Sequence, residues 1–343
     1  MHAETTCPVC SNLFQAKSEL CDRRPFIVCV SGDAICADCC KRPGKTCPIC
    51  NDDLLPTPIV NKALTELIEK CISVLEILVK EIKMEKEPFD HGAFGEVYMA
   101  KWRKEDVVVK VIKAYNDDEE ENIKREANIT LRLNHPNVIK LFGITYMRSR
   151  RFGIVMEKAE HGSLDKWIGT IGREKLTKIA LGIIDGLEYV HSQKVIHRDI
   201  KPKNILMFGA KDDMIPKIAD FGAAKVIERV TKQTTVGEDF YMAPEVVVLN
   251  PYGFKADIFS LAMTLFEMFN EQPVKQASEE VKRFVRGLNT GKFSKIPESS
   301  KVPSCLRNVI ERGWSEKPDD RPTFSEYRST LKGKILFLIF TKY

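Results

Sequence analysis

The stretch HRDIKPKN at residues 197–204, followed sixteen residues later by DFG at residues 220–222, is the most informative part of this 343-residue sequence. It brings two carboxylates, one amide and one lysine into a short region, on Asp199, Lys201, Asn204 and Asp220. Carboxylate and amide oxygens are the ligands that Mg²⁺ prefers when it shares its coordination with phosphate groups. Phosphoryl transfer needs few protein groups, but it needs them in strict positions. The stretch therefore indicates a magnesium and nucleotide site with Asn204 and Asp220 as metal ligands.

These two motifs resemble the catalytic loop and the metal-binding Asp-Phe-Gly of the protein kinase family. Further motifs follow in the order of that family: VVVK at 107–110, REA at 125–127, NHPNV at 134–138, IVMEKA at 154–159, APE at 243–245 and RPT at 321–323. The resemblance extends over about 250 residues. It implies an α+β, bilobal protein-kinase fold over residues 85–335, with a small β-rich lobe and a larger helical lobe.

The resemblance also implies a role for each site residue in ATP- and Mg²⁺-dependent transfer of the γ-phosphate to a protein hydroxyl. Asp199 would accept the hydroxyl proton, and Lys201 would neutralise charge on the γ-phosphate. Lys110 would bind the α- and β-phosphates while Glu126 holds it in place. Lys201 is typical of the serine/threonine branch, and the DDRPTF run at 319–324 is similar to the tyrosine-kinase-like group.

The remaining expectations from the family concern the nucleotide and the support of the loop. The nucleotide would contact a set made of two glycines, three aliphatic residues and the hinge: Gly92, Gly95, Val97, Val108, Leu206, Met156, Glu157 and Ala159. Asp257 would support the catalytic loop from a central helix, and Arg321 would pair with Glu245.

Two positions depart from the family pattern. In FDHGAFGEV at 89–97, Asp90 replaces the first glycine of the phosphate-binding loop, where backbone N–H groups approach phosphate closely. Glu238 follows Gly237 where serine/threonine members usually carry a threonine that bonds the catalytic aspartate. The alternative to an active enzyme is therefore a weak or inactive kinase that serves as a scaffold.

Nine of the eleven cysteines lie between Cys7 and Cys50, in a segment that begins without an apolar signal peptide. Thiols in Cys-x-x-Cys pairs within a reducing compartment favour zinc over disulfides. The order of the pairs resembles a RING-type zinc finger over residues 1–57, with two zinc ions. The resemblance assigns Cys7, Cys10, Cys36 and Cys39 to one ion and Cys29, Asp33, Cys47 and Cys50 to the other.

Asp33 stands where RING fingers usually have histidine, so Cys21 or Cys40 remains an alternative fourth ligand. RING fingers recruit ubiquitin-conjugating enzymes, which makes such an enzyme an expected partner. This sequence has NDD at 51–53, where a basic residue often follows the last ligand. A ubiquitin ligase and a purely structural zinc module therefore both remain open.

Residues 58–84 show an apolar seam with spacings of four and three, which predicts an amphipathic connecting helix. The seam consists of Val60, Leu64, Leu67, Cys71, Val74 and Leu78. It could pair two chains into a homodimer, or it could pack on its own domains.

Composition limits the other classes of function. The chain has 43% hydrophobic and 29% charged residues, and 53 basic against 48 acidic residues give a net charge of +5. Without a concentrated basic stripe, no nucleic-acid partner is expected. The apolar run at 335–340 is far shorter than the roughly 20 residues of a membrane span, so we expect a soluble, intracellular protein.

Overall fold

The computed structural model of the chain divides into two compact units, residues 1–78 and residues 79–343. The structure describes residues 25–29, 34–36, 54–60, 76–92, 95–226, 241–247, 252–273, 276, 278–281, 283, 287 and 295–340.

The described part of the first unit is a three-stranded antiparallel sheet. Its strands are β1 (Pro25–Cys29), β2 (Ala34–Cys36) and β3 (Leu54–Val60), in the order β2-β1-β3. Strand β3 contains Pro56 and Pro58, which lack a backbone N–H donor. Proline is tolerated on edge strands, and β3 is at the edge of this sheet.

The predicted helix over 58–84 is wrong at both of its ends. Residues 58–60 belong to β3, and residues 79–84 form a 3-10 helix (Val79–Glu81) and strand β4 (Ile82–Met84). Residues 58–60 and β4 instead gain backbone hydrogen bonds by pairing with neighbouring strands of their sheets. Residues 61–75 lie outside the described residues, so the centre of that prediction stays a prediction.

The small lobe of the second unit is an antiparallel sheet in the order β4-β6-β7-β9-β8, with β5 paired to β6. Its further strands are β5 (Asp90–Gly92), β6 (Gly95–Trp102), β7 (Glu105–Lys113), β8 (Leu141–Met147) and β9 (Arg151–Glu157). Val107, Val109 and Val155 are fully buried in its centre. The sheet thus begins at Ile82, three residues before the predicted boundary.

Helix α1 (Asp117–Leu131) follows β7 and begins at a capping residue. The side chain of Asn116 accepts a hydrogen bond of 2.8 Å from the backbone N–H of Glu119, and the Glu119 carboxylate accepts one from the N–H of Tyr115. These bonds satisfy N–H groups at a helix start that would otherwise lack partners.

The large lobe is mainly helical. Its helices are α2 (Arg173–Ser192), α3 (Pro244–Val247), α4 (Lys255–Asn270), α5 (Ser304–Gly313) and α6 (Phe324–Phe340). Short strands form two hairpin-like pairs, β10 (Val195–Ile196) with β13 (Lys225–Val226), and β11 (Ile205–Ala210) with β12 (Asp213–Ile218). Every residue of α4 from Ala256 to Asn270 is buried, so this helix is the centre of the lobe.

The predicted pair of Arg321 and Glu245 is confirmed. Two guanidinium nitrogens of Arg321 donate to the two carboxylate oxygens of Glu245, at 2.6 and 2.8 Å. The Arg321 side chain is fully buried, and such a bidentate geometry is the strongest form of ion pair. The pair fixes the start of α3 to the segment before α6.

No helix in the described part of the chain has the length and apolar character needed to cross a membrane.

Candidate active site

The catalytic loop follows β10 and is held by a buried carboxylate. Asp257 on α4 is completely buried, and its two oxygens accept hydrogen bonds of 2.8 Å from the backbone N–H groups of His197 and Arg198. His191 at the end of α2 contacts the same carboxylate at 2.8 Å. Burial alone would raise the pKa of Asp257, but these bonds and the nearby histidines outweigh it and hold that pKa below its usual range. The structure thus places Asp257 where the sequence predicted it.

His197 is fully buried beneath the loop. Its Nδ1 accepts the N–H of Asp199, and its Nε2 lies 3.0 Å from the carbonyl oxygen of Ala219, one residue before the DFG motif. Burial lowers the pKa of His197 below its ordinary value, so the neutral ring with a proton on Nε2 fits both contacts. The imidazole therefore joins the catalytic loop to the metal-binding segment.

The Asp199 carboxylate is bound on one side and open on the other. Its Oδ2 accepts from Asn204 Nδ2 at 2.7 Å and lies 2.9 Å from Lys201 Nζ. Asn204 also donates to the Asp199 carbonyl at 2.8 Å. The other oxygen, Oδ1, is buried and has no hydrogen-bond partner among the described residues. A buried acceptor without a partner is costly, and a substrate hydroxyl would satisfy it.

The DFG aspartate faces the lysine of β7. Asp220 adopts a left-handed backbone conformation, with φ of 63°, and its Oδ1 lies 2.7 Å from Lys110 Nζ. Burial alone would raise the pKa of Asp220, but the charge and hydrogen bond of Lys110 outweigh it and lower that pKa. Asp220 is thus held as an anion, which is the form that a metal ion requires.

The predicted partner of Lys110 was Glu126. Glu126 belongs to α1, which lies beside the 3-10 helix at Phe221–Ala223, but its side chain lies outside the described residues. The described pairing of Lys110 is with Asp220, and the Lys110–Glu126 pair stays a prediction.

The predicted adenine-contacting residues lie on neighbouring strands and on the segment between the lobes. Val108 on β7 stands opposite Met156 on β9, and Val97 on β6 stands opposite Lys110. In the large lobe, Leu206 forms an isolated bridge with Ser163, and Ala159 packs against the same core. Met156, Ala159 and Leu206 pack against the core of the large lobe, while Val97 and Val108 lie on adjacent strands of the small lobe.

The hairpin predicted to bind phosphate is formed by β5 and β6, with Gly92 opposite Gly95. Gly95 has φ of 144°, and an added Cβ would stand 2.2 Å from the carbonyl oxygen of Val111. Asp90 is exposed and paired with Val97. Residues 93 and 94 at the tip, and Glu238 in the segment 227–240, lie outside the described residues.

Sequence reasoning missed the polar contacts of Glu157. Its carboxylate contacts Lys217 Nζ and the backbone N–H of Lys140, although only its backbone was expected to matter. Lys217 and Glu157 are sixty residues apart, so no local pattern joins them. The position of Lys217 three residues before Asp220 was the only available signal.

The predicted zinc ligands lie largely outside the described residues. Cys29 and Cys36 are the last residues of β1 and β2, whereas Cys7, Cys10, Asp33, Cys39, Cys47 and Cys50 are not described. Within the described residues, no group of three or more histidine, cysteine, aspartate and glutamate side chains could hold a metal ion. A magnesium site does not need such a group, because one or two protein ligands and substrate phosphates suffice.

Comparison with known proteins gives a consistent result. Residues 85–330 match the protein kinase domain family. The chain is 31% identical over 293 residues to mitogen-activated protein kinase kinase kinase 10 of Xenopus laevis, covering 80% of this chain and 29% of that protein. It is 30% identical over 280 residues to serine/threonine-protein kinase STY17 of Arabidopsis thaliana, covering 78% and 48%.

A third relative is the interferon-induced, double-stranded RNA-activated protein kinase of Mus musculus, which is 33% identical over 264 residues. That match covers 70% of this chain and 48% of the relative. The chain thus spans less than half the length of each of these three proteins.

Proposed function

Because the chain belongs to the protein kinase family, we propose that it transfers the γ-phosphate of ATP to serine or threonine hydroxyls of a protein. The observation that carries the proposal is the buried Oδ1 of Asp199, which has no hydrogen-bond partner among the described residues. Lys201 and Asn204 fix the opposite oxygen, so the carboxylate is oriented with one acceptor available for a hydroxyl proton. A general base needs this combination of fixed geometry and a free acceptor.

The donor set fits a magnesium ion. Asn204 offers an amide oxygen, and Asp220 offers an ionised carboxylate. The Asn204 side chain donates to the Asp199 carbonyl, and Asp220 pairs with Lys110. Asn204 and Asp220 would hold the Mg²⁺, which would supply positive charge against the phosphates. Lys110 would bind the α- and β-phosphates, and Lys201 would approach the transferring group. The nucleotide base would lie between Val97, Val108 and Leu206, beside the backbone of Glu157 and Ala159.

The test is transfer of radiolabelled phosphate from ATP with Mg²⁺ by the wild type and by Asp220→Ala. We expect incorporation by the wild type, recovered as phosphoserine or phosphothreonine, and a loss of about a thousandfold in the variant, because its metal ligand is gone. Equal incorporation by both proteins would contradict the proposal.

The alternative function is that of a weak or inactive kinase that serves as a scaffold. The exposed Asp90 in the phosphate-binding hairpin favours it, since a carboxylate beside the triphosphate opposes ATP binding. No incorporation by the wild type under varied divalent metals, with nucleotide binding retained, would select this alternative.

We further propose that residues 1–57 form a zinc-binding, RING-like module. The register of the described sheet supports the assignment of Cys36 and Cys29 to different ions. Cys36 stands opposite Pro25, and Cys29 lies four residues further along β1, which is about 13 Å of strand. Two cysteines sharing one ion need sulfur atoms about 4 Å apart, because each Zn–S bond is about 2.3 Å.

The same sheet pairs Cys29 with Leu54, four residues after Cys50. The assignment of Cys29 and Cys50 to the same ion rests on the order of the cysteine pairs in RING fingers. Metal analysis of the purified chain is expected to find two zinc ions per chain, and a Cys29→Ser variant is expected to lose one. Absence of zinc from the purified chain would contradict the proposed zinc-binding module.

A zinc module of this type would recruit a ubiquitin-conjugating enzyme, as a ligase or as part of a scaffold, in the reducing interior of a cell. Ubiquitin transfer in the presence of a panel of conjugating enzymes tests the recruitment, and loss of transfer in Cys29→Ser is the expected result. A homodimer would have to form through residues 61–75, where the predicted helix remains a prediction. The mass of the protein in solution tests whether it is a dimer.

A further inference from the structure

The Glu157 carboxylate at the end of β9 is the centre of a closed set of contacts between the two lobes. Lys217 Nζ lies 2.8 Å from Oε1 and 2.7 Å from Oε2 of Glu157. The backbone N–H of Lys140 donates to Oε1 at 2.7 Å, and the N–H of Glu157 donates in return to the Lys140 carbonyl at 3.1 Å. Side chain and backbone of Glu157 are therefore both held.

The chain on the other side of Lys140 is bonded to the strand that carries Lys217. Ile139 donates its N–H to the Ile218 carbonyl at 2.8 Å, and Ile218 donates to the Asn137 carbonyl at 2.9 Å. The Asn137 side chain adds a bond of 2.9 Å to the Pro216 carbonyl. The contacts thus form a ring that runs from Glu157 through Lys140 and residues 137–139 to β12 and back through Lys217.

The ion pair that closes the ring is largely removed from water. Both the Lys217 and the Glu157 side chains are 18% exposed, and the Lys217 ammonium lies 4.5 Å from the centre of the Phe208 ring. Charge attraction is stronger where water is excluded, and the loss of one partner leaves the other charge uncompensated. Lys217 is therefore important to the ring and is not an incidental surface contact.

We infer that Lys217 is a positioning residue that fixes the hinge segment at 156–159 to β12 through Glu157. The backbone of Glu157 would contact the adenine, so the ring would fix the adenine-binding part of the nucleotide site. The role in nucleotide binding rests on the proposed function, whereas the effect on the hinge does not.

Hydrogen exchange of the nucleotide-free protein tests the inference directly. In Lys217→Met, the amide of Glu157 and its neighbours at 156–159 are expected to exchange about tenfold faster, because the carboxylate no longer holds the hinge to the large lobe. Lys217→Arg keeps the charge and is expected to restore slow exchange. Glu157→Gln removes the charge with little change of shape, and it is expected to show the same faster exchange at 156–159. This variant keeps the test available if Lys217→Met folds poorly.

The matched control is Lys175→Met, which removes an ion pair of 2.9 Å with Asp212 in the large lobe. It is expected to leave exchange at 156–159 unchanged. Wild-type exchange at the hinge in both Lys217→Met and Glu157→Gln would overturn the inference. Faster exchange spread equally over the buried helix α4 would also overturn it, since that result indicates a general loss of stability.

Kinetics with ATP provide the second measurement. Lys217→Met is expected to raise KM for ATP about fivefold with kcat changed by less than about twofold, because the hinge and not the reacting groups is disturbed. An equal fall of kcat with KM unchanged would contradict the positioning role. A wild type that transfers no phosphate would refute the proposed function, while the exchange of the hinge amides would still decide the role of Lys217.

Discussion

The catalytic loop and the phosphate-binding hairpin serve the two sides of the same proposed nucleotide site, but they are held in different ways. The loop at 197–204 depends on Asp257, a buried carboxylate on a helix more than fifty residues away in sequence. The hairpin of β5 and β6 depends on neighbouring strands and on the absence of a side chain at Gly95. Long-range burial supports the reacting groups, whereas local backbone geometry supports phosphate approach. Substitutions in the two regions should therefore affect different quantities.

The largest expected effect comes from Asp199→Asn in the loop. An asparagine can keep its amide oxygen on Lys201 and Asn204, which places an NH2 group where Oδ1 now stands open. The general base is lost without loss of packing, so kcat should fall about a thousandfold. Steady-state kinetics measure the fall, and nucleotide affinity within about twofold of the wild type is the control. A variant with more than a tenth of the wild-type kcat would show that another group accepts the proton.

The next effect is a loss of stability in Asp257→Asn. Its amide nitrogen would face a backbone N–H or the His191 ring in place of an acceptor, so unfolding free energy should fall by about 3 kcal/mol at pH 7. Urea unfolding measures the loss. The Asp213→Asn variant, at an exposed carboxylate of the same lobe, is the control and should change stability by less than about 0.5 kcal/mol.

The pH dependence of stability in the wild type and in Asp257→Asn provides a second test. The pKa of Asp257 is lower in the folded chain than in the unfolded chain, so its contribution is complete above the unfolded pKa of about 3.9 and is lost as the pH falls through the folded pKa. The variant should therefore show a shallower loss of stability in acid than the wild type. Burial lowers the pKa of His197, which adds a loss of stability that starts as the pH falls below about 6.5. The charge of Asp257 opposes this lowering, so above about pH 4 this loss should be larger in the variant. Parallel curves below about pH 4 would contradict the role of Asp257.

In the hairpin, Gly95→Ala should change nucleotide binding more than stability of the large lobe. The new Cβ would collide with the Val111 carbonyl at 2.2 Å, and the backbone φ of 144° strains any residue with a side chain. Strands β6 and β7 must move apart to make room for the new Cβ, so KM for ATP should rise roughly tenfold. Hydrogen exchange in α4 should remain that of the wild type. A fall in kcat as large as the rise in KM would contradict the distinction between the two regions.

The smallest effect belongs to Asp90→Gly, which restores the family residue. It removes an exposed charge near the proposed triphosphate, and exposed charges are screened, so KM for ATP should fall about twofold to threefold at low salt. Asp212→Asn, which removes an exposed charge in the large lobe, should leave KM unchanged. Equal KM values for the wild type and Asp90→Gly would show that Asp90 does not weaken ATP binding.

Several features of the fold could be predicted from the sequence, either because they are local or, for the pair of Arg321 with Glu245, because the family resemblance implied them. The strand VVVK at 107–110, the loop at 197–204 and the pair of Arg321 with Glu245 were all expected from motifs in a fixed order. The helix expected over 58–84 failed at its ends, because an apolar seam reports spacing but not the backbone partners that β3 and β4 find in their sheets.

The sequence by itself determined which chemical groups are present: a candidate base at Asp199, candidate metal ligands at Asn204 and Asp220, and a lysine at Lys110 that is predicted to bind phosphate. Only the tertiary structure decided which oxygen of Asp199 stays open, that Lys110 contacts Asp220, and that Lys217 holds Glu157 across sixty residues. The physical reason is that hydrogen bonds and ion pairs depend on distances of about 3 Å, and a linear order of residues fixes such distances only between near neighbours.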